Sequence, residues 1–293
     1  MVAQIIDGRS YSKELTAQYA DAVEKLKAKG ITPKLVVVTV GNDEASIIYD
    51  EQKRKRCNKI GMDFEAFYLD KDITQEELNA KIRELNEDDS VSGIFVSAPL
   101  PGDLSHQEVS RVIDPDKDVD GFSPVNLGKI VAGSGQLFPC TPRGVMKLLK
   151  HYNVELKGKD IAVIGKSPVV GLPLSILLMN EDATVTPCHL STKDTNSYVR
   201  NADIVISAAG VPDLVHGDNL KEGVVVVDVG INRLEDGSIV GDVNYDSAVE
   251  KASLITPVPG GVGPMTVAML LEQTIECACI HNGLKLEDVL EDA

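Results

Sequence analysis

The chain has 293 residues, 43% of them hydrophobic, a mean hydropathy of −0.02 and a formal net charge of −16. These values describe a soluble globular protein long enough for two domains, with a (β/α)₈ barrel as the rival. The acidity excludes a nucleic-acid binder, because neutralising phosphates requires an excess of Lys and Arg. Five cysteines form no C-x-x-C pair and five histidines are scattered, so free thiols in a reducing compartment are expected and a metal site is not. The start, MVAQIIDGRS, is not a signal peptide, and no apolar run reaches the roughly 20 residues of a membrane span; the expected compartment is the cytoplasm.

In chain order, Ser10 to Lys29 places Leu15, Tyr19, Ala22, Val23 and Leu26 on one helical face and stops at Gly30. KLVVVTV, Lys34 to Val40, is a β-branched run too short for a helix. Asn42 is placed to cap the next helix, which runs to about Ile60. Thr74 and Glu77 form a capping box for a helix through Leu85. Val91 to Val96 reads as another buried strand, and strands alternating with helices predict a parallel sheet covered on both faces. From Asp114 to Arg143 the chain is rich in Gly and Pro, with Asp114, Asp116, Asp118 and Asp120 at alternate positions, and reads as a connection between domains. A second set of strands follows at Lys159 to Ile164, Thr184 to Pro187, Asp203 to Ser207 and Val224 to Val229, which predicts a doubly wound sheet.

Three local patterns carry chemistry. Gly165-Lys-Ser-Pro-Val-Val-Gly171 joins a strand to a helix with Pro173 in its first turn, a variant of the turn that faces a pyrophosphate. Residues 141–200 carry a local charge of +3 around it, against −12 for 201–293. The next strand ends in Cys188, His189, Leu190, Ser191, Thr192 and Lys193, with no carboxylate for a ribose 2′-hydroxyl, which points to NADP, with NAD as the alternative. Tyr49, Lys53, Cys57 and Ile60 share one helical stripe, so Lys53 is expected to be partly buried. Desolvation and its neighbours Arg54, Lys55 and Arg56 would then lower its pKa toward that of a base. Asp120 precedes Gly121 in a loop where a carboxylate can accept two parallel hydrogen bonds from an amidine-like edge. Thr256 to Thr266, TPVPGGVGPMT, is a Pro/Gly loop suited to close backbone approach, with Thr266 read as the cap of the last helix.

PDKDVDGF (115–122), CTPRG (140–144), GINR (230–233), VGDV (240–243) and TPVPGGVGPMT (256–266) occur in this order after the Tyr49/Lys53 helix. Together they closely resemble the bifunctional methylenetetrahydrofolate dehydrogenase/methenyltetrahydrofolate cyclohydrolase family over nearly the whole chain. The resemblance implies an α/β fold of two domains: a folate-binding catalytic domain, 1–140, joined by the C-terminal helix, 267–293, and a Rossmann-like NADP-binding domain, 141–266. It implies an active site in the cleft, a homodimer, and no membrane or nucleic-acid partner. Carried over by position, Tyr49 stacks on the p-aminobenzoyl ring, Asp120 holds the pterin and Lys53 is the catalytic base. Ser97, Pro259, Gly260 and Gly261 line the folate pocket, and Gly165, Lys166, Ser167, Thr141 and Ile231 contact the cofactor.

Departures from the family pattern sharpen the expectation. The family's V-Q-L-P-L-P is here Val96-Ser97-Ala98-Pro99-Leu100-Pro101, and Ser97 is too short to support the lysine as the missing Gln would, except through a bridging water. The family's F-H-P-Y-N is Phe122-Ser-Pro-Val-Asn126. These changes predict that the dehydrogenase survives and the cyclohydrolase is weakened. On the cofactor side, Leu190 stands where a Ser is usual and Lys166 where an Arg is common. Other readings stand beside this one: a monofunctional, NAD-linked dehydrogenase, a different small-molecule dehydrogenase on a similar scaffold, or a catalytically silent folate-binding regulator.

Overall fold

The computed structural model describes residues 3–41 and 44–290, so the Asn42 cap lies outside the described residues. The first half runs β1 (Gln4–Ile5), α1 (Gly8–Lys27), β2 (Lys34–Val40), α2 (Glu44–Lys59), β3 (Asp63–Leu69), α3 (Gln75–Glu87), β4 (Gly93–Val96), α4 (His106–Val112) and α5 (Pro124–Val131). The second runs α6 (Cys140–His151), β5 (Asp160–Ile164), α7 (Gly171–Asn180), β6 (Thr184–Cys188), α8 (Thr195–Val199), β7 (Ile204–Ser207), β8 (Val225–Asp228), β9 (Asn232–Arg233), β10 (Ile239–Val240), α9 (Tyr245–Ala248), β11 (Leu254–Ile255) and α10 (Val262–His281). The chain divides into two compact units, Met1–Ser12 with Pro139–Thr266 and Lys13–Phe138 with Val267–Ala293.

The second of these, the three-stranded unit, has strand order β3-β2-β4 with both pairings parallel. Strand alternation splits β2 between two faces. Val36, Val38 and Val40 pack with Leu78, Ile82 and Leu85 of α3 and Val109 of α4, leaving Leu35, Val37 and Thr39 to the opposite face. The chain leaves β2 for β3 on one side, then returns through α3 to β4 on the other. Successive connections therefore diverge at the carboxyl end of β2, the place where open α/β sheets bind ligands.

Helix α3 opens on the expected capping box, with Thr74 Oγ1 accepting from the Glu77 N–H at 3.3 Å and Glu77 Oε2 accepting from the Thr74 N–H at 2.9 Å. Its other end is closed by Lys117, whose Nζ donates to the carbonyls of Leu85, Asn86 and Asp88 at 3.2, 2.7 and 2.8 Å. From α10, Gln273 Nε2 donates to the Val119 carbonyl at 2.7 Å and Glu272 accepts from the Tyr19 hydroxyl at 2.6 Å, which ties the last helix into this unit.

The six-stranded unit has order β1-β11-β8-β7-β5-β6, every neighbouring pair parallel. Its core comprises Ala162, Ile164, Val205, Val226 and Ile255 with Val199, Val215 and Ala248. Because β6 and β7 flank β5, a second divergence falls at the carboxyl end of β5, where Gly165 begins the turn into α7.

Several elements differ from the sequence reading. The segment from Asp114 to Arg143 holds α5 and the start of α6; Ser123 caps α5, its Oγ accepting from the Asn126 N–H at 3.1 Å, with Pro124 in the first turn. Thr266 lies inside α10 rather than at its cap, since the helix begins at Val262. The first twelve residues group with 139–266 because β1 pairs with β11, Gln4 beside Leu254 and Ile5 beside Ile255.

Candidate active site

In the three-stranded unit, α2 carries the lysine expected as a base. Cys57 and Ile60 are buried and the Lys53 side chain is 17% exposed, but Tyr49 is 61% exposed, so the stripe leaves the core at its first member. The buried position there belongs to Asp50, which is in line with Cys57 seven residues on. Lys53 Nζ donates to Asp50 Oδ1 at 2.9 Å and lies 4.9 Å from the centre of the Phe95 ring of β4. The nearest charge to Lys53 is thus a carboxylate. The cations expected to press on it point elsewhere: Arg54 pairs with Glu51 at 3.0 Å and lies over Phe64, and Lys55 and Arg56 are exposed.

The other Asp50 oxygen accepts from the Thr39 hydroxyl at 2.8 Å, and Thr39 Oγ1 lies 3.0 Å from Ser97 Oγ. Ser97 follows β4 directly, Thr39 is next to last in β2, and Tyr68 pairs with Thr39 from β3. All three strands thus deliver a hydroxyl to the carboxyl end of the sheet. Burial, and then the charges of Asp50 and Glu51, hold the Tyr68 phenol above its ordinary range.

The four alternating aspartates have separate tasks. Asp114 Oδ1 accepts from the Asp116 N–H at 3.0 Å, and Asp116 lies 3.8 Å from Lys129. Asp118 is buried and accepts from the N–H groups of Gly121 and Ser123 at 3.0 and 2.6 Å and from Asn126 Nδ2 at 3.1 Å. Burial pushes its carboxyl above the usual range against those donors. Asp120, held at the apex of this turn, is half-buried and makes no hydrogen bond within the described residues. Burial, with the Asp118 charge added and the Lys53 ammonium opposing, pushes its carboxyl up to about 8.

In the six-stranded unit the turn after β5 is built by two glycines in close approach. Gly165 has φ +110°, and a Cβ there would lie 2.3 Å from the Ala208 carbonyl oxygen; a Cβ at Gly171 would lie 1.9 Å from the Gly165 carbonyl oxygen. Ser167 Oγ accepts from the Val170 N–H at 3.1 Å, and residues 166–169 are exposed at the N-terminus of α7. No side chain caps that helix end; the Leu172 N–H donates to the Ser167 carbonyl at 3.0 Å and Pro173 has none, so the exposed turn 166–169 is the part open to an anion. After β6, Thr192 Oγ1 accepts from the His189 N–H at 2.9 Å, and Leu190 is fully exposed.

Thr141 Oγ1 lies 3.0 Å from Thr266 Oγ1, and Ile231 is 66% exposed. Ile231 lines a cavity of about 160 Å³ with Arg9, Asp228, Pro259, Gly260 and Gly261. Asp228 and Asp242, both buried, brace this region: Asp228 accepts from Gly230, Asp242 and Val243 N–H groups, and Asp242 from those of Ala209, Gly210 and Val211.

Sequence reasoning missed Asp50 and Thr39. Both left a trace: Asp50 stands three residues before Lys53, the spacing of a helical ion pair, and Thr39 interrupts the apolar interior of KLVVVTV.

Residues 6–120 match the family model for the catalytic domain of tetrahydrofolate dehydrogenase/cyclohydrolase, and residues 139–282 match the model for its NAD(P)-binding domain. The bifunctional protein FolD of Staphylococcus carnosus is 48% identical over 285 residues, covering 97% of this chain and 100% of the relative. A crystal structure of the bifunctional enzyme FolD, methylenetetrahydrofolate dehydrogenase/cyclohydrolase, from Campylobacter jejuni superposes with a TM-score of 0.92 at 48% identity, covering 94% of this chain and 98% of the other. The Trypanosoma brucei enzyme, solved with NADP cofactor and inhibitor, gives 0.88 at 39% identity over 94% of this chain and 97% of the other. With a parallel sheet in each unit, a lysine and a half-buried aspartate in one and an open glycine turn in the other, the chain belongs to the tetrahydrofolate dehydrogenase/cyclohydrolase family.

Proposed function

We propose that the protein oxidises 5,10-methylenetetrahydrofolate with NADP and hydrolyses the methenyl product to 10-formyltetrahydrofolate. The observation that carries this reading is Asp120, a half-buried carboxylate with no hydrogen-bond partner among the described residues, in electrostatic contact with Lys53. Such a group is complementary to the paired N–H donors of a pterin edge. Tyr49, exposed on α2, offers its ring face to the p-aminobenzoyl group. Pro259, Gly260 and Gly261 contribute further folate contacts in this reading, as does Ser97.

The glycine turn fits a dinucleotide: the space a Cβ would fill at Gly165 and Gly171 is taken by backbone, and the turn 166–169 before α7 is exposed to meet a pyrophosphate. Gly165, Lys166 and Ser167 would hold the phosphates, with Thr141 and Ile231 nearer the nicotinamide. The loop after β6 has no acid to meet a 2′-hydroxyl, which favours NADP over NAD. When bound, NADP supplies the ring that accepts hydride from the one-carbon bridge.

The chain's own residues then orient the substrate, and Lys53, in its neutral amine form, takes the proton of the water that attacks the resulting methenyl carbon. Homodimeric assembly and a cytoplasmic location complete the reading, supported by the family resemblance and, for the compartment, by five cysteines that form no C-x-x-C pair in the sequence.

A coupled assay tests it, following NADP reduction and methenyl-folate decay together. Reduction of NADP with 5,10-methylenetetrahydrofolate, faster than with NAD, followed by methenyl decay is the expected course. No cofactor reduction by either nucleotide overturns it. Lys53→Met should lower hydrolysis by at least about a hundred-fold, the lower range for loss of a general base.

A further inference from the structure

We infer that Asp50, with Thr39 and Ser97, forms a buried hydrogen-bonded chain that positions Lys53 for the hydrolytic step. The inference rests on the reading of Lys53 as the base.

A hydroxyl has one proton to donate, and a carboxylate has none. Asp50 therefore accepts from both sides: from Lys53 Nζ at Oδ1, 2.9 Å, and from Thr39 at Oδ2, 2.8 Å. The single Thr39 proton serves that bond and the 3.0 Å contact to Ser97 Oγ, in which Thr39 Oγ1 is again the donor. The carboxylate is the stronger of the two acceptors, and its charge strengthens both bonds that reach it.

Burial makes the arrangement specific. Asp50 is 1% exposed and Thr39 is 2% exposed, so water does not compete for either. A buried carboxylate that loses a donor is strongly disfavoured, and Lys53 and Thr39, with the Tyr68 phenol that also hydrogen-bonds to Asp50, fix its plane. Fixing that plane fixes Nζ of a side chain with four rotatable bonds, which the Phe95 ring alone, 4.9 Å away, cannot do. The three anchor points come from the ends of β2 and β4 and from α2, elements locked by the parallel register Val38 to Val96. Ser97 does not reach Lys53 itself; Thr39 and Asp50 span the distance, so the hydrolytic base has a protein anchor without a bridging water. Asp50, Thr39 and Ser97 are positioning residues, since none need touch the substrate.

The test uses the full-length enzyme supplied with methenyltetrahydrofolate and measures kcat and KM for its hydrolysis. Thr39→Val keeps the shape and removes the hydroxyl; Thr39→Ser keeps the hydroxyl and removes a methyl. Asp50→Asn removes the charge, and Lys53→Met is the reference for loss of the base. Displacing a reacting group by an ångström lowers rates by about a hundred-fold. Accordingly, Thr39→Val and Asp50→Asn should lower kcat about ten- to a hundred-fold with KM within about twofold, and Thr39→Ser should restore most of it. Three results overturn the proposal: hydrolysis within about twofold of wild type in Thr39→Val, an equal loss in Thr39→Val and Thr39→Ser, or a rise in KM with kcat unchanged. Should Asp50→Asn fail to fold, the Thr39 pair decides alone. Full hydrolysis by Lys53→Met instead removes the reading of Lys53 as base, whereas loss in Lys53→Met with normal Thr39→Val leaves that reading intact and ends this one.

Discussion

Asp120 shows how a residue proposed to bind the pterin is prepared. Its neighbour two positions back, Asp118, takes the loop's N–H groups, and Asp120 is left with none. A carboxyl pushed up to about 8, well above the usual carboxylate range, favours its protonated form in the folded chain. Its contribution to stability is complete below the unfolded value and is lost as pH rises through about 8. Burial gives Asp118 and Asp228 shifts of the same sign, with Asp228 pushed up to about 6. Asp120→Asn should therefore raise Tm by about 2–4 °C at pH 8 and by little near pH 4, read by calorimetry without ligand. The same change should lower kcat/KM for the folate by about ten- to a hundred-fold, the loss of a hydrogen bond to a charged group. A variant with unchanged Tm across that range would remove the electrostatic account of this side chain. The trade is the familiar one between a comfortable fold and a competent site.

At the scale of elements, two parallel sheets each present the carboxyl end of a strand from which successive connections diverge. At β5 the element that matters is the turn, and its glycines have no room for a side chain. Gly165→Ala should weaken NADP binding by at least about tenfold by titration, the consequence of about 1.4 kcal/mol or more of displaced backbone. Hydrolysis of methenyltetrahydrofolate supplied directly should remain close to wild type, because Lys53, Asp50 and Asp120 belong to the other unit. Parallel loss of both activities would mean that the turn supports the fold as a whole.

Much of this was legible in advance. KLVVVTV is β2 residue for residue, and Thr74 with Glu77 announces α3. The turn glycines and Asp120 stood out by type and place. β3 did not, because DFEAFYL is an edge strand of mixed exposure without a β-branched run. β1 has two residues and exists only through pairing with β11 across about 250 positions of sequence. α5 was hidden by its Gly and Pro neighbours although Ser123-Pro124 is a regular helix start. The ion pair at Lys53 was missed because flanking charges in sequence were weighed above the i, i+3 neighbour that the helix brings close.

For the whole molecule, the charge of −16 is unevenly spread and leaves +3 over residues 141–200, around the glycine turn, where a dinucleotide would meet it. The division into units has its own consequence. Each unit is made of two stretches of chain: the six-stranded sheet needs β1 from the start and β11 from near residue 255, and the three-stranded unit needs α10, through Gln273 and Glu272. During synthesis, a nascent chain of 138 residues therefore holds a sheet without its last covering helix and a first strand without its neighbour. Neither half can mature before the other is nearly translated, so folding on the ribosome should be one late event instead of two successive ones. Chains stalled at residue 138 should be digested by a protease that spares the full-length protein, and their exposed β2 face should hold them on chaperones until α10 emerges.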